Sequence, residues 1–453
     1  MASTSTAETS DAAAAGLRSP YAGYVYAYPH KTAYRPLAPA PALREVWAGQ
    51  DVSALFLYLH VPFCEMRCGF CNLFTRTGAP AALVGRYLDA LERQARAVRE
   101  AVPQARFAVG AIGGGTPTYL EPAELERLFT IAREVVGADL AAIPLSVETS
   151  PATATHDRLA VLAAHGATRV SIGVQSFDDA EARAAGRPQR RAEVEAALAA
   201  IRDTAIPVLN IDLIYGIDGQ TEASWLASLD AALAWRPEEI YLYPLYVRPL
   251  TGLGRRAVTR ADWDAERLAL YRAGRDHLRS YGYEQVSMRM FRRADAPSDA
   301  DTGYRCQRDG MVGLGCGARS YTSDLHYSFD YAVGIGEVRA IIDEYVTLDQ
   351  AAFSHARVGY RLDAPERRRR HLLTSLLQAD GLDAAEYRAR FGSDAAHDFA
   401  ADLAPLADAG LVAIGAEVPD IRLTEEGVAW SDAIGPALFS AETAALMDGY
   451  RPR

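Results

Sequence analysis

The sequence predicts an α/β fold: an open, partial (β/α)6 barrel with an N-terminal arm and a small winged-helix-like domain at its C-terminal end. Two observations support this prediction. Six apolar, strand-like runs alternate with helix-like segments, as is typical of a parallel sheet with right-handed crossovers. The pattern then changes to short helices followed by two brief strand-like segments. Six units are too few for a closed eight-stranded barrel, so we expect an open one with its site at the carboxyl ends of the strands.

The first 54 residues show neither helix nor strand periodicity. Residues 1–18 are rich in Ala, Ser and Thr and predict a disordered tail. Residues 19–54 contain closely spaced tyrosines and prolines, which predict an ordered but irregular arm.

The predicted barrel covers residues 55–285. Its strand-like runs lie at 55–61, 106–112, 143–148, 169–174, 208–215 and 240–246. Its helix-like segments lie at 83–102, 121–136, 157–165, 190–204, 221–235 and 262–281. Residues 286–360 predict strands and loops that extend the barrel, and residues 361–453 the winged-helix-like domain.

Composition and charge exclude several classes of protein. The chain has 453 residues, of which 49% are apolar, so it can bury a large core. It contains no apolar run of membrane-spanning length and no signal-peptide pattern, so we expect a cytoplasmic protein without a membrane partner. A net charge of −11 argues against a broad nucleic-acid-binding surface. All 47 basic residues except Lys31 are Arg, which together with the many alanines indicates GC-rich coding.

The cysteines are clustered rather than spread as in a disulfide framework. Cys64, Cys68 and Cys71 form a C-x3-C-x2-C pattern after the first predicted strand, whereas Cys306 and Cys316 lie far away in sequence. Three thiolates can hold three irons of a [4Fe–4S] cluster and leave the fourth iron open to a ligand. Spacing alone leaves two alternatives: a zinc site completed by a fourth ligand, and unreactive buried thiols.

The segment Tyr-x-His-x-Pro-Phe-Cys-x3-Cys-x-Phe-Cys at residues 58–71 resembles the radical S-adenosylmethionine (SAM) enzymes. More specifically, it is similar to the branch of the oxygen-independent coproporphyrinogen III dehydrogenases. That branch also contains class C radical SAM methyltransferases, cyclopropane-forming enzymes and haem chaperones. The resemblance covers roughly residues 20–430, because further motifs follow in order. It implies a [4Fe–4S] cluster on the three clustered cysteines and two molecules of SAM.

The same resemblance assigns further residues to the two SAM molecules. For the first SAM these are Tyr58, Gly114, Gly115, Thr116, Glu148 and Arg319. For the second SAM they are Gln175, Arg187, Asp212 and Tyr246. Tyr58 and Tyr246 are also the predicted catalytic residues. An amide, a guanidinium and a carboxylate suit a zwitterionic amino acid with a ribose, and an Arg can bind its carboxylate through two hydrogen bonds. Taken singly, each residue also fits a structural role in the barrel.

Two departures from the dehydrogenase pattern shape the functional expectation. Leu73 stands where the dehydrogenases carry another cysteine, and residues 243–251 also differ. We therefore expect the first SAM to yield a 5′-deoxyadenosyl radical and the second to donate a methyl or methylene group to an sp2 carbon of a natural-product-type small molecule. The alternatives are oxidative decarboxylation of coproporphyrinogen III and haem delivery by a chaperone. The expected protein partners are a reductase or flavodoxin-type electron donor and a separate SAM methyltransferase.

Overall fold

The computed structural model describes residues 15–254, 262–297, 302–415 and 420–451. The predicted tail at residues 1–14 lies outside the described residues. Leu17, which the prediction also placed in that tail, is only 7% exposed and packs against the main core. The ordered arm therefore begins before residue 19.

The strands are, in chain order, β1 (Arg35–Pro36), β2 (Leu55–Val61), β3 (Phe63–Cys64), β4 (Arg76–Thr77), β5 (Phe107–Gly114), β6 (Leu145–Thr149), β7 (Arg169–Gln175), β8 (Val208–Tyr215), β9 (Glu239–Pro244), β10 (Tyr283–Gln285), β11 (Met290–Arg293), β12 (Met311–Leu314), β13 (Arg319–Tyr321), β14 (Leu325–Ser328), β15 (Val358–Arg361), β16 (Val412–Ile414) and β17 (Ile421–Leu423). The helices are α1 (Leu43–Val46), α2 (Ala81–Ala101), α3 (Pro122–Thr130), α4 (His156–Ala164), α5 (Asp179–Ala184), α6 (Arg191–Arg202), α7 (Glu222–Leu233), α8 (Trp263–Ser280), α9 (Ile335–Tyr345), α10 (Ala364–Leu376), α11 (Ala384–Phe391), α12 (Ala395–Asp398), α13 (Ala400–Asp408), α14 (Glu425–Ala429), α15 (Ser431–Ala437) and α16 (Ala441–Asp448). Short 3-10 helices lie at Lys31–Ala33, Pro117–Tyr119 and Ala351–Ser354, and a π-helical turn at Ile131–Val136 continues α3.

One large sheet organises these elements. Its strand order is β1-β15-β14-β13-β12-β2-β5-β6-β7-β8-β9-β11-β10, and the six strands from β2 to β9 run parallel. This confirms the predicted α/β partial barrel. The structure adds β12, which pairs in parallel with β2 and leads into the antiparallel extension.

The alternation of residues along each strand decides which side chains enter the barrel, because successive side chains point to opposite faces. In β2, Leu55, Leu57 and Leu59 are at most 1% exposed and belong to the main core. Tyr58 stands between them and therefore faces the opposite side, toward the interior of the barrel. In β8 the same rule places Asp212 on the interior face, since its neighbours Ile211 and Leu213 are fully buried.

Four helices, α10–α13, precede the hairpin β16–β17, where the sequence predicted three short helices and then a hairpin. Three more helices, α14–α16, follow the hairpin. Val412, Ile421 and Leu423 of the hairpin belong to the same core as the barrel. Within the described parts of the chain, no helix is long and apolar enough to cross a membrane.

Candidate active site

The three clustered cysteines lie on the loop that follows β2. Cys64 ends β3 and is buried, whereas Cys68 and Cys71 are half-buried. The hydroxyl of Thr116 donates to Cys64 Sγ at 3.6 Å, and Arg187 Nη1 donates to Cys68 Sγ at 3.4 Å. Two residues that the sequence assigned to different SAM molecules thus meet the cysteine loop directly.

These thiols suit an iron–sulfur cluster better than a single zinc ion. Burial raises the pKa of Cys64 to about 12, with smaller contributions from the charges of Cys71 and Cys68 and an opposing one from the Thr116 hydrogen bond. Yet among the described residues no three His, Cys, Asp or Glu side chains surround one point closely enough to hold a single metal ion. Zinc requires ligands around one ion, whereas each cysteine of a cluster binds a different iron.

The glycines at the end of β5 let its backbone pass against the cysteine loop. Gly114 has a φ of +113°, and a Cβ there would lie 2.4 Å from the ring of His60. A Cβ on Gly115 would lie 2.5 Å from the carbonyl oxygen of Phe63 and 3.0 Å from Cys64 Sγ. Only glycine allows this approach.

Two carboxyl groups face the interior of the barrel, Glu148 near the end of β6 and Asp212 within β8. The carboxyl of Glu148 lies against the neighbouring strand β5, where a Cβ on Gly113 would lie 2.8 Å from its carboxyl carbon. Burial raises its pKa to about 7, a hydrogen bond of 3.0 Å from the Gly114 N–H opposes this rise, and the charge of Asp212 adds to it. Burial also raises the pKa of Asp212 to about 6, against a hydrogen bond of 2.8 Å from Asn210 Nδ2. Two such carboxyls suit a ligand that brings hydroxyl, ammonium or sulfonium groups.

Gln175 occupies a strained position at the end of β7. Its φ is +70°, and the pairing of β7 with β8 is irregular between Gly173 and Gln175. A non-glycine residue in this region costs on the order of 1 kcal/mol and often marks a functional site. A Cβ on Gly173 would lie 2.6 Å from Gln175 Nε2 and 3.7 Å from Arg187 Nη1, so both side chains gather above that glycine. The Arg187 Nε also donates to Gln189 at 2.9 Å.

The remaining predicted residues lie at different parts of the cavity. Tyr58 places its hydroxyl 3.5 Å from His60 Nδ1 on the inner face of β2, and its pKa is raised chiefly by burial and also by the charge of Glu148. Arg319 begins β13. The hydroxyl of Tyr246 donates to Asp432 of α15, so it contacts the C-terminal domain.

The tyrosines of the arm pack against strands of the large sheet. Tyr24 and Tyr26 remain 42% and 47% exposed, and their rings contact Tyr243 of β9 and Arg319 of β13, respectively. Arg289 stacks on Tyr24, with Cζ 3.8 Å from the ring centroid, and donates to Asp432. Sequence reasoning noticed the tyrosines of the arm but missed Arg289 and Asp432, which belong to no motif.

Comparisons with known proteins identify the family of this chain. The family model of the radical SAM superfamily matches residues 58–232, and that of the HemN C-terminal domain matches residues 362–430. An oxygen-independent coproporphyrinogen III oxidase from Salmonella typhimurium is 30% identical over 389 residues, covering 82% of each chain. The haem chaperone HemW of Bacillus subtilis is 26% identical over 361 residues, covering 78% of this chain and 92% of the chaperone.

Among solved structures, the coproporphyrinogen III oxidase HemN of Escherichia coli aligns with a TM-score of 0.75 and 25% identity, over 92% of this chain and 96% of that one. These relatives support the alternative expectation, an oxidase or chaperone of this type, and not methyl or methylene transfer to a natural product. The departures at Leu73 and at residues 243–251 therefore did not predict the reaction class.

Proposed function

This chain belongs to the radical SAM superfamily, in the branch of the oxygen-independent coproporphyrinogen III oxidases and haem chaperones, and from that premise we propose that it decarboxylates propionate side chains of a porphyrinogen-class substrate. The observation that carries the proposal is a set of polar contacts on the parallel strands next to the cysteine loop. Thr116 and Arg187 donate to Cys64 and Cys68 of that loop. Glu148 accepts from the Gly114 N–H, and Gln175 and Arg187 gather above Gly173, which pairs with Asp212. The alignment with the solved oxidase extends over nearly the whole of both chains.

The reaction needs a hydrogen-abstracting agent and exclusion of water. Oxidative decarboxylation of a propionate carboxylate removes one hydrogen atom, carbon dioxide and one electron, which passes to an external one-electron acceptor, and leaves a vinyl group. When bound, the cluster and SAM supply a 5′-deoxyadenosyl radical that takes the hydrogen atom. The chain's part is to hold these groups and keep water away from the radical.

For the first SAM, we propose that Gly114, Gly115 and Thr116 offer backbone beside the cysteine loop, while Glu148 accepts hydrogen bonds from the ligand. Glu148 is suited to this role because it faces the interior of the barrel and, among the described residues, receives a hydrogen bond only from the Gly114 N–H. Tyr58 would pack beside the same ligand from β2.

For a second SAM, we propose Gln175, Arg187 and Asp212 as the binding set. Arg187 and Gln175 meet above Gly173, and Asp212 lies opposite Gly173 in the pairing of β7 with β8. Tyr246 contributes its ring at the edge of this set, because its hydroxyl is bonded to Asp432.

The test is anaerobic turnover by the cluster-loaded protein with SAM, a reductant and coproporphyrinogen III. We expect 5′-deoxyadenosine, carbon dioxide and vinyl porphyrinogens, with no label in the product when the methyl carbon of SAM is 13C. Cys64→Ala should abolish turnover, whereas Cys306→Ser, an exposed cysteine, should retain it.

Two outcomes would contradict the proposal. The 13C label of SAM in the product would show that SAM donates a methyl or methylene group to the substrate. Stable haem binding without conversion of the porphyrinogen would instead indicate a chaperone.

A further inference from the structure

Lys31 is the only lysine among the 47 basic residues of the chain. At every other position that carries a basic side chain, Arg is present. The two side chains differ chemically, since the ammonium of lysine is compact and titrates readily when buried, whereas the guanidinium stays charged. Lys31 begins the short helix Lys31–Ala33 of the arm, directly beside the candidate active site.

The ammonium of Lys31 reaches the segment that precedes β13. Nζ donates to the carbonyl oxygen of Gly317 and lies 5.7 Å from the ring centroid of Tyr331. Burial lowers the pKa of Lys31 to about 7, with a smaller contribution from the charge of Arg319 and an opposing one from Cys316. The side chain is half-buried, so part of it remains accessible to a ligand.

Arg319 lies on the same side of the cavity. Its Cζ stands 4.9 Å from the ring centroid of Tyr26, and its Nη1 is buried without a hydrogen-bond partner. His30 lies between the cations: Tyr26 Oη is 2.9 Å from His30 Nε2, and burial together with the charges of Arg319, Lys31 and Arg248 lowers the pKa of His30 to about 3.

Lys31 and Arg319 have no ion-pair partner among the described residues, because no Asp or Glu there forms a salt bridge with either side chain. Neighbouring cations that lack an ion-pair partner repel one another and are costly to desolvate, and an anionic ligand relieves both costs.

We propose that Lys31 and Arg319 bind a carboxylate of the substrate beside the arm, and that Lys31 determines specificity for that group. The inference rests on the proposed function, because a porphyrinogen carries propionates that do not react in a given cycle and still need binding partners. The methionyl carboxylate of SAM has the same chemistry, so the experiment must separate the two sources.

The single lysine makes a direct measurement feasible. Cluster-loaded protein containing 13Cε-labelled lysine should give one lysine resonance, whose pH titration reports the pKa of Lys31. The titration is repeated with SAM, with coproporphyrin III and with coproporphyrin III tetramethyl ester. We expect coproporphyrin III to raise the pKa by about one unit or more, because a bound anion favours the ammonium, and the ester to leave it unchanged.

Three outcomes would overturn or limit the proposal. A rise caused by SAM alone would assign the carboxylate to the cofactor and overturn it. If coproporphyrin III leaves the pKa of Lys31 unchanged in a protein that decarboxylates coproporphyrinogen III, the proposed site is wrong but the proposed function stands. If coproporphyrin III raises the pKa of Lys31 and no decarboxylation occurs, the proposed function is wrong and the site is supported.

Affinity measurements add an independent readout through the quenching of coproporphyrin fluorescence. Lys31→Met should weaken binding of coproporphyrin III about tenfold, the loss of one charge-assisted contact, and leave binding of the ester unchanged. Lys31→Arg should retain most of the affinity. Arg86→Met, at an exposed position of α2, is the matched control and should have no effect. Binding of coproporphyrin III by Lys31→Met at wild-type affinity would refute the proposal.

Discussion

Replacing Asp432 by Asn tests how the C-terminal domain is joined to the barrel and the arm. Asp432 is 2% exposed and Arg289 4% exposed, and they form a buried ion pair. The same carboxylate oxygen accepts from Tyr246, and the Asp432 carbonyl accepts from the Gly23 N–H at 2.9 Å. Arg289 in turn stacks on Tyr24. One carboxylate thus connects all three parts of the molecule.

The expected loss in the free energy of unfolding follows from the burial of this ion pair. Removing one partner of a buried ion pair costs about 3–5 kcal/mol, because the other charge is left uncompensated. Asn has nearly the shape of Asp, so Asp432→Asn creates no cavity, and its amide oxygen can still accept a neutral hydrogen bond. We therefore expect a loss near the lower end, about 3 kcal/mol in the free energy of unfolding.

The assay is equilibrium urea unfolding followed by tryptophan fluorescence, with hydrogen exchange to locate the effect. Exchange should increase in the arm around Tyr24 as well as in α15. Glu134→Gln is the control, since Glu134 and its partner Arg133 are 61% and 57% exposed, and such a pair contributes at most about 1 kcal/mol. The double variant Arg289→Met/Asp432→Asn should lose less than the sum of its single variants. A loss below about 1 kcal/mol for Asp432→Asn, or strict additivity, would refute the coupling.

Three further predictions concern the cavity. Glu148 has a folded pKa of about 7 against an ordinary value of 4.5, so its ionisation destabilises the folded state as the pH rises through this range. Glu148→Gln should therefore raise the urea midpoint of the cofactor-free protein at pH 8 and not at pH 4. A gain that is independent of pH would contradict this. Gln175→Gly and Gln175→Ala both lose the amide, but only glycine adopts a φ of +70° without strain. The Gly variant should therefore be more stable than the Ala variant by about 1 kcal/mol. Equal stabilities of the two variants would exclude backbone strain at this position. Gly114→Ala should lower the thermal midpoint and the cluster content, because the added Cβ would collide with His60. The control is Gly85→Ala, in a helix with open space around it, which should slightly stabilise the protein. A Gly114→Ala variant with an unchanged thermal midpoint and cluster content would contradict the close approach.

The strands of the barrel could be predicted because each is an apolar run bounded by turn residues. Predicted and observed strand ends differ by at most two residues, as for 240–246 against Glu239–Pro244. The helix α5 was missed, because a six-residue helix is too short to show a clear period. The pairing of β12 with β2 was also missed, since parallel pairing of strands 250 residues apart leaves no local signal.

The cysteine spacing, the glycines of β5 and the single lysine are local features. From such features the barrel and the superfamily were predicted correctly, and the three cluster ligands remain a prediction from the same pattern. The tertiary structure alone brought Arg187 to Cys68, Tyr246 to Asp432 and Lys31 to the backbone of Gly317. Each of these contacts joins residues more than 100 positions apart, and neither periodicity nor motif spacing encodes which distant side chains meet. The pKa of Glu148 depends in the same way on the enclosure built around it, because desolvation is a property of the folded cavity and not of the residue.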